Sequence, residues 1–132
     1  MFGRGSKANT PIDILIGKSA RIRGDVDFSG GLHLDGRVMG SVRADGTPDS
    51  MLSISEAGCI EGSVEAAHVV LNGTVKGDIR ASERLVLGPR SRVRGDVYYG
   101  VIEAALGAEI QGRLVPLREE DTVDAEADVA EA

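Results

Sequence analysis

A five-residue phrase, apolar-x-Gly-x-apolar, recurs six times along this chain and leaves it few ways to fold. The copies are Ile22-Arg-Gly-Asp-Val26, Val38-Met-Gly-Ser-Val42, Ile60-Glu-Gly-Ser-Val64, Val75-Lys-Gly-Asp-Ile79, Val93-Arg-Gly-Asp-Val97 and Ile110-Gln-Gly-Arg-Leu114. Their glycines fall 15 to 22 residues apart, and the one long step contains the turn-forming stretch Gly46-Thr-Pro-Asp-Ser50. Self-similarity of this kind marks a solenoid, in which each repeat is one turn of a coil.

Two further positions keep the same phase. A period-2 pair precedes each phrase: Ile14/Ile16, Leu32/Leu34, Leu52/Ile54, Val69/Leu71, Leu85/Leu87 and Ile102/Ala104. That alternation is the pattern of a half-buried strand. The gap from the pair to the phrase is either four or six residues, which predicts that length changes fall in one corner of the coil. Two residues after each phrase stand Phe28, Ala44, Ala66, Ala81, Tyr99 and Pro116, a column that is small in the middle and bulky near its ends. No segment keeps a 3.6-residue period before a glycine interrupts it.

One such turn cannot bury its own apolar residues. Six turns stacked about 4.8 Å apart make a rod roughly 29 Å long with a continuous aliphatic interior. The expected fold is all-β: a single-stranded parallel β-helix of about six rungs over 12–117. Flexible tails at 1–11 and 118–132 flank it. Rungs of variable length favour a right-handed coil over the left-handed hexapeptide type, whose six-residue step runs through Ile16, Ile22, Phe28, Leu34 and Gly40 and then breaks. Two Phe, two Tyr and no Trp fit a narrow core lined by Ile, Leu, Val and Ala.

Charge is unevenly placed. Residues 1–11 hold Arg4 and Lys7 and no acid, and residues 118–132 set Arg118 against seven acids, which leaves 12 basic and 14 acidic residues between them. The acidity is therefore a property of the tail, whose low hydrophobicity and high charge predict disorder. The outward column Arg23, Met39, Glu61, Lys76, Arg94 and Gln111 mixes signs, so no nucleic-acid partner is expected. A lone cysteine, Cys59, is consistent with a reducing compartment. No apolar run approaches the length of a membrane span, and the first residues lack the apolar stretch of a secretory signal. A cytoplasmic protein is the expectation.

Catalytic chemistry finds little support. His33 and His68, the only histidines, flank inward residues and should face outward on flat strands. The Arg-Gly-Asp and Lys-Gly-Asp tripeptides follow from the repeat, since residues beside the corner glycine face water. Asp25, Asp78 and Asp96 are separated by Ser41 and Ser63, a poor calcium cage. Cys59 has no basic neighbour in sequence. No catalytic residue, cofactor site or metal site is expected.

The ends remain. A solenoid exposes an apolar cross-section and unpaired strand edges at each terminus unless something caps them, and no capping helix precedes Ile12. End-to-end polymerisation is the natural outcome, through Ile14, Ile16, Ile22 and Phe28 at one end and Ile102, Ile110 and Leu114 at the other. The opening Met1-Phe2-Gly-Arg4-Gly-Ser-Lys7 joins an aromatic to two cations. Burying Phe2 is worth about 2 kcal/mol and each cation near anionic lipid about 1 kcal/mol. One copy would hold a membrane weakly, whereas a filament multiplies the contact by avidity.

This array, including Ile22-Arg-Gly-Asp-Val26 and Leu32-His-Leu-Asp-Gly36, resembles the bactofilins, bacterial cytoskeletal proteins. The resemblance covers 12–117, and the Met-Phe-plus-basic opening maps onto Phe2, Arg4 and Lys7. It implies a right-handed triangular β-helix that polymerises without nucleotide into apolar filaments through contacts between like ends. It also implies a scaffold on the cytoplasmic face of the inner membrane that recruits cell-wall, shape or polarity proteins. The last rungs depart from the family in carrying Ile110 and Leu114 with no Phe as an aromatic end contact. Two other readings stay open at this point: a trimeric left-handed β-helix acyltransferase using His33 or His68, and a monomeric solenoid adaptor.

Overall fold

The computed structural model of the chain describes residues 12–45 and 48–117. Among these residues there is no helix; fifteen strands stack in parallel as six turns of a β-solenoid. Each turn contributes a strand to each of three faces. The first face is built by β1 (Ile12–Ile16), β4 (Gly31–Leu34), β7 (Met51–Ile54) and the second halves of β9 (Val64–Leu71), β11 (Ile79–Leu87) and β13 (Val97–Ala104). The second face is the six-stranded sheet of β2 (Arg21–Arg23), β5 (Arg37–Met39), β8 (Cys59–Glu61), β10 (Thr74–Lys76), β12 (Arg92–Arg94) and β14 (Glu109–Gln111). The third face takes β3 (Val26–Phe28), β6 (Val42–Ala44), the first halves of β9, β11 and β13, and β15 (Leu114–Pro116).

The register aligns the apolar columns expected from the repeat. Ile22, Val38, Ile60, Val75, Val93 and Ile110 are successive partners on the second face. On the third, Ala66, Ala81, Tyr99 and Pro116 are aligned, and Phe28 pairs with Ala44. Central members such as Leu52, Ile60, Val69 and Val75 are wholly buried. Each contributes about 1.5–3 kcal/mol by leaving water.

The corner between the second and third faces is constant, and glycine makes it so. Gly40, Gly62, Gly77, Gly95 and Gly112 all have positive φ, in a region essentially closed to other residues. A Cβ on each would run into the carbonyl oxygen of the glycine one turn below. Gly24, the first of the column, has φ +127° but nothing within 4 Å of its missing Cβ.

The other two corners vary, so the expectation that length changes fall in one corner is too narrow. Between the third and first faces Ser82 and Glu83 bulge where Ala67 or Gly100 stands alone in the adjoining turns. The long step also lies at this corner. Gly46 and Thr47 fall outside the described residues, but Ser50 returns fully buried to the stack. Its carbonyl accepts from the His68 N–H at 3.0 Å and its Oγ from the Ala67 N–H at 3.0 Å.

Gly77→Ala combines a forbidden φ with a backbone clash and is expected to cost about 3 kcal/mol. Gly24→Ala carries the backbone term alone, about 1–2 kcal/mol. Urea midpoints of the two variants check the difference, and equal losses would contradict it.

Candidate assembly interface

The stack stops without closing. β2 and β14 terminate the six-stranded sheet, and β1 and β15 terminate the path of the larger one, so each end presents strand edges with no further partner within the described residues. The aliphatic columns run out to both ends. At the first turn Ile14 is 36% exposed and Ile22 and Val26 are half-buried, while Ile16 and Phe28 are nearly covered by the second turn. At the last turn Ile102, Ile110 and Leu114 are half-buried. The structure thus gathers Ile14, Ile16, Ile22 and Phe28 at one end and Ile102, Ile110 and Leu114 at the other. Phe2, Arg4 and Lys7 lie outside the described residues.

Several exposed apolar residues escape the repeat pattern. Leu15 is 66% exposed on the outer first face of turn one, and Val101 lies on the same face of turn six. Leu106, on the corner turn that precedes β14, is almost wholly exposed. Leu15 was readable, since it sits outward between Ile14 and Ile16. Leu106 belongs to a corner the repeat does not constrain.

The polar outer surface does structural work. Asp78 Oδ1 accepts from the Asp96 N–H at 3.0 Å, Asp96 Oδ1 from the Arg113 N–H at 3.1 Å, and Asp25 Oδ1 from the Ser41 N–H at 3.0 Å. The aspartate of each Arg-Gly-Asp or Lys-Gly-Asp phrase is therefore a clamp on the next turn. Exposure to water, the reason the sequence suggested, is only half of the explanation.

His33 faces outward with its ring between Ser53 Oγ, 3.2 Å from Nδ1, and Asp35 Oδ1, 3.1 Å from Nε2. Serine, histidine and aspartate are thus in line, but on the outer side of a flat ladder whose N–H groups bond between turns, so no backbone donors are left to hold an oxyanion. The Asp35 carboxyl titrates below its ordinary value, first because of the Ser55 side-chain hydrogen bond; desolvation opposes the shift, and the charge of His33, its hydrogen bond and the charge of Lys18 add to it. His68 lies apart, aligned with Met51 and Arg84. Cys59 is half-buried, and the ladder sets Arg37 and Thr74 beside it, a basic neighbour that the sequence order conceals. No cluster of metal-ligating side chains occurs among the described residues.

The family model for bactofilins, described as polymer-forming cytoskeletal, matches residues 14–115. This chain belongs to the bactofilin family. A relative, Bactofilin BacO of Myxococcus xanthus (strain DK1622), is 30% identical over 100 residues, 76% of each chain. No solved structure matches at a significant level. Of the architecture described above, the bactofilin match spans all but the edges of the first and last turns. No helix among the described residues of this bactofilin is long and apolar enough to cross a membrane.

Because the folded-state pKa of Asp35 is lowered, the stabilisation it brings is present above the ordinary value of 3.8. It is lost as pH falls through the lower folded-state value. A carboxyl NMR titration is expected to place the Asp35 midpoint below 3.8 and to move it upward in Ser55→Ala. An unmoved midpoint would assign the shift to His33 instead.

Proposed function

We propose that this bactofilin is the subunit of a filament that grows end to end without nucleotide, through the apolar columns that reach both ends of the rod. The supporting observation is that, among the described residues, these columns and their strand edges stop unpaired at turns one and six. A second copy stacked on either end would bury Ile14, Ile22 and Val26, or Ile102, Ile110 and Leu114. Those side chains are already half-covered in one chain, so only part of the roughly 1.5–3 kcal/mol per side chain remains to be gained. Strand pairing across the junction adds register to that gain. The family description, polymer-forming cytoskeletal, is consistent with such growth.

The filament is proposed to act as a scaffold rather than an enzyme, at the cytoplasmic face of the bacterial inner membrane. There it would organise cell-wall or cell-shape proteins. Phe2, Arg4 and Lys7 would supply a weak lipid contact that repetition along the filament makes strong.

Negative-stain microscopy of the purified protein should show filaments without nucleotide. Ile110→Arg and Leu114→Arg place a charge in the end contact and should yield short oligomers of folded protein. Discrete monomers or trimers at every concentration by light scattering would contradict end-to-end growth. Deleting residues 1–7 should abolish liposome co-sedimentation of the filaments, and unchanged pelleting would remove Phe2 from the account.

A further inference from the structure

The second face is strongly basic, which no single outward column reveals. Each of its strands turns its middle residue inward and its two flanking residues outward. The outward set holds six cations, Arg21, Arg23, Arg37, Lys76, Arg92 and Arg94, against two carboxylates, Glu61 and Glu109. The sequence-based expectation of mixed signs rested on one of the two columns.

The other faces satisfy their cations within the fold. Arg43 meets Glu65 at 3.6 Å, Arg84 meets Glu103 at 3.1 Å, and Arg80 lies over the Tyr98 ring. On the second face only Arg92 has an ion-pair partner among the described residues, Glu109 at 4.0 Å. Elsewhere the ladder sets Arg21 beside Arg37, and it places Lys76 between Glu61 on one side and Arg94 on the other. Like charges on adjacent strands are destabilising, so folding alone gives no reason for this arrangement. An anionic occupant does.

The chain carries one. Residues 118–132 set Arg118 against seven acids, a net charge of −6. Leu117 donates its N–H to the Tyr99 carbonyl at 2.7 Å, which fixes the origin of this segment at the corner of the last turn where the third face meets the first. Fifteen residues reach about 50 Å when extended. Crossing the width of one face takes about 13 Å, at four strand residues of roughly 3.3 Å each. What remains exceeds the rod's length of about 29 Å, enough to lay Asp124, Glu126, Asp128 and Glu131 along the second face. The tether also keeps the segment at an effective concentration on the order of millimolar.

We infer that the basic second face is the docking surface of the chain's own acidic segment 118–132, which neutralises it. Neutralised, the rod's cations are withheld from adventitious polyanions, while a surface of higher negative charge can displace the segment and engage the face.

Zero-length carbodiimide coupling on the full chain tests this, because Lys76 is the one lysine on the face and Lys18 lies off it. At about 10 mM salt, where the Debye length is about 30 Å, peptide mapping should find carboxylates of 118–132 joined to Lys76 in preference to Lys18. The Lys76 yield should fall about tenfold in 1 M NaCl, where the Debye length is about 3 Å. It should fall likewise in the full-chain variant Arg92→Gln/Arg94→Gln. Coupling at Lys18 that equals or exceeds coupling at Lys76, or a Lys76 yield indifferent to salt and to the variant, overturns the proposal. So does pelleting of the full chain with phosphatidylglycerol vesicles that the same variant abolishes at unchanged Lys76 coupling, since the face would then belong to a lipid surface.

Discussion

In five of the six turns, the carbonyl of a corner glycine occupies the space that a Cβ on the next glycine would need. This close approach lets consecutive turns share an unbroken parallel ladder, because the chain can bend sharply at that corner and still pair on both sides of it. Gly40 N–H reaches the Glu61 carbonyl and Val42 N–H the Ser63 carbonyl, and equivalent bonds recur in later turns. With the corner pinned, the apolar residues two before and two after each glycine fall into vertical columns. The rest of the interior follows from that alignment.

A fold propagated in this way has no intrinsic stop. Each turn is held by its neighbours, so the outermost turns are held on one side only, and their apolar residues stay partly wet. In the proposed filament, stability and assembly draw on the same kind of contact, apolar columns and strand edges stacked turn on turn. The polar surface reinforces the stack from outside, through Asp25, Asp78 and Asp96 clamping backbone N–H groups and through ion pairs between turns. Surface pairs of this sort contribute at most about 1 kcal/mol each, so they adjust the stack and do not create it.

Much of this was legible in the residues because the repeat states its own geometry. The inward columns, the six turns and the apolar ends could be placed from the spacing of Ile22, Val38, Ile60, Val75, Val93 and Ile110. What was hidden depends on lateral neighbours that sequence order separates. Arg37 lies beside Cys59, Arg21 beside Arg37 and Lys76 beside Arg94 only after the coil is wound, so the basic face and the setting of the thiol could not be read along the chain. The clamping role of Asp96 depends likewise on an N–H one turn away. The variable corners carry no repeat, which is why Leu106 and the Ser82–Glu83 bulge went unforeseen. Phe2, Arg4 and Lys7 lie outside the described residues, and their proposed role rests on residue chemistry and the family resemblance.

Amide hydrogen exchange on assembled protein tests the central claim most directly, because it reads the outermost turns apart from the middle. Stacking end to end predicts that amides of β2, β3, β14 and β15 become as protected in the filament as those of β8 and β10. In Leu114→Arg the last-turn amides should exchange far faster than those of the interior. Filaments whose first and last turns still exchange rapidly, with new protection confined to an outer face, would mean that the rods associate side by side, and would contradict the account.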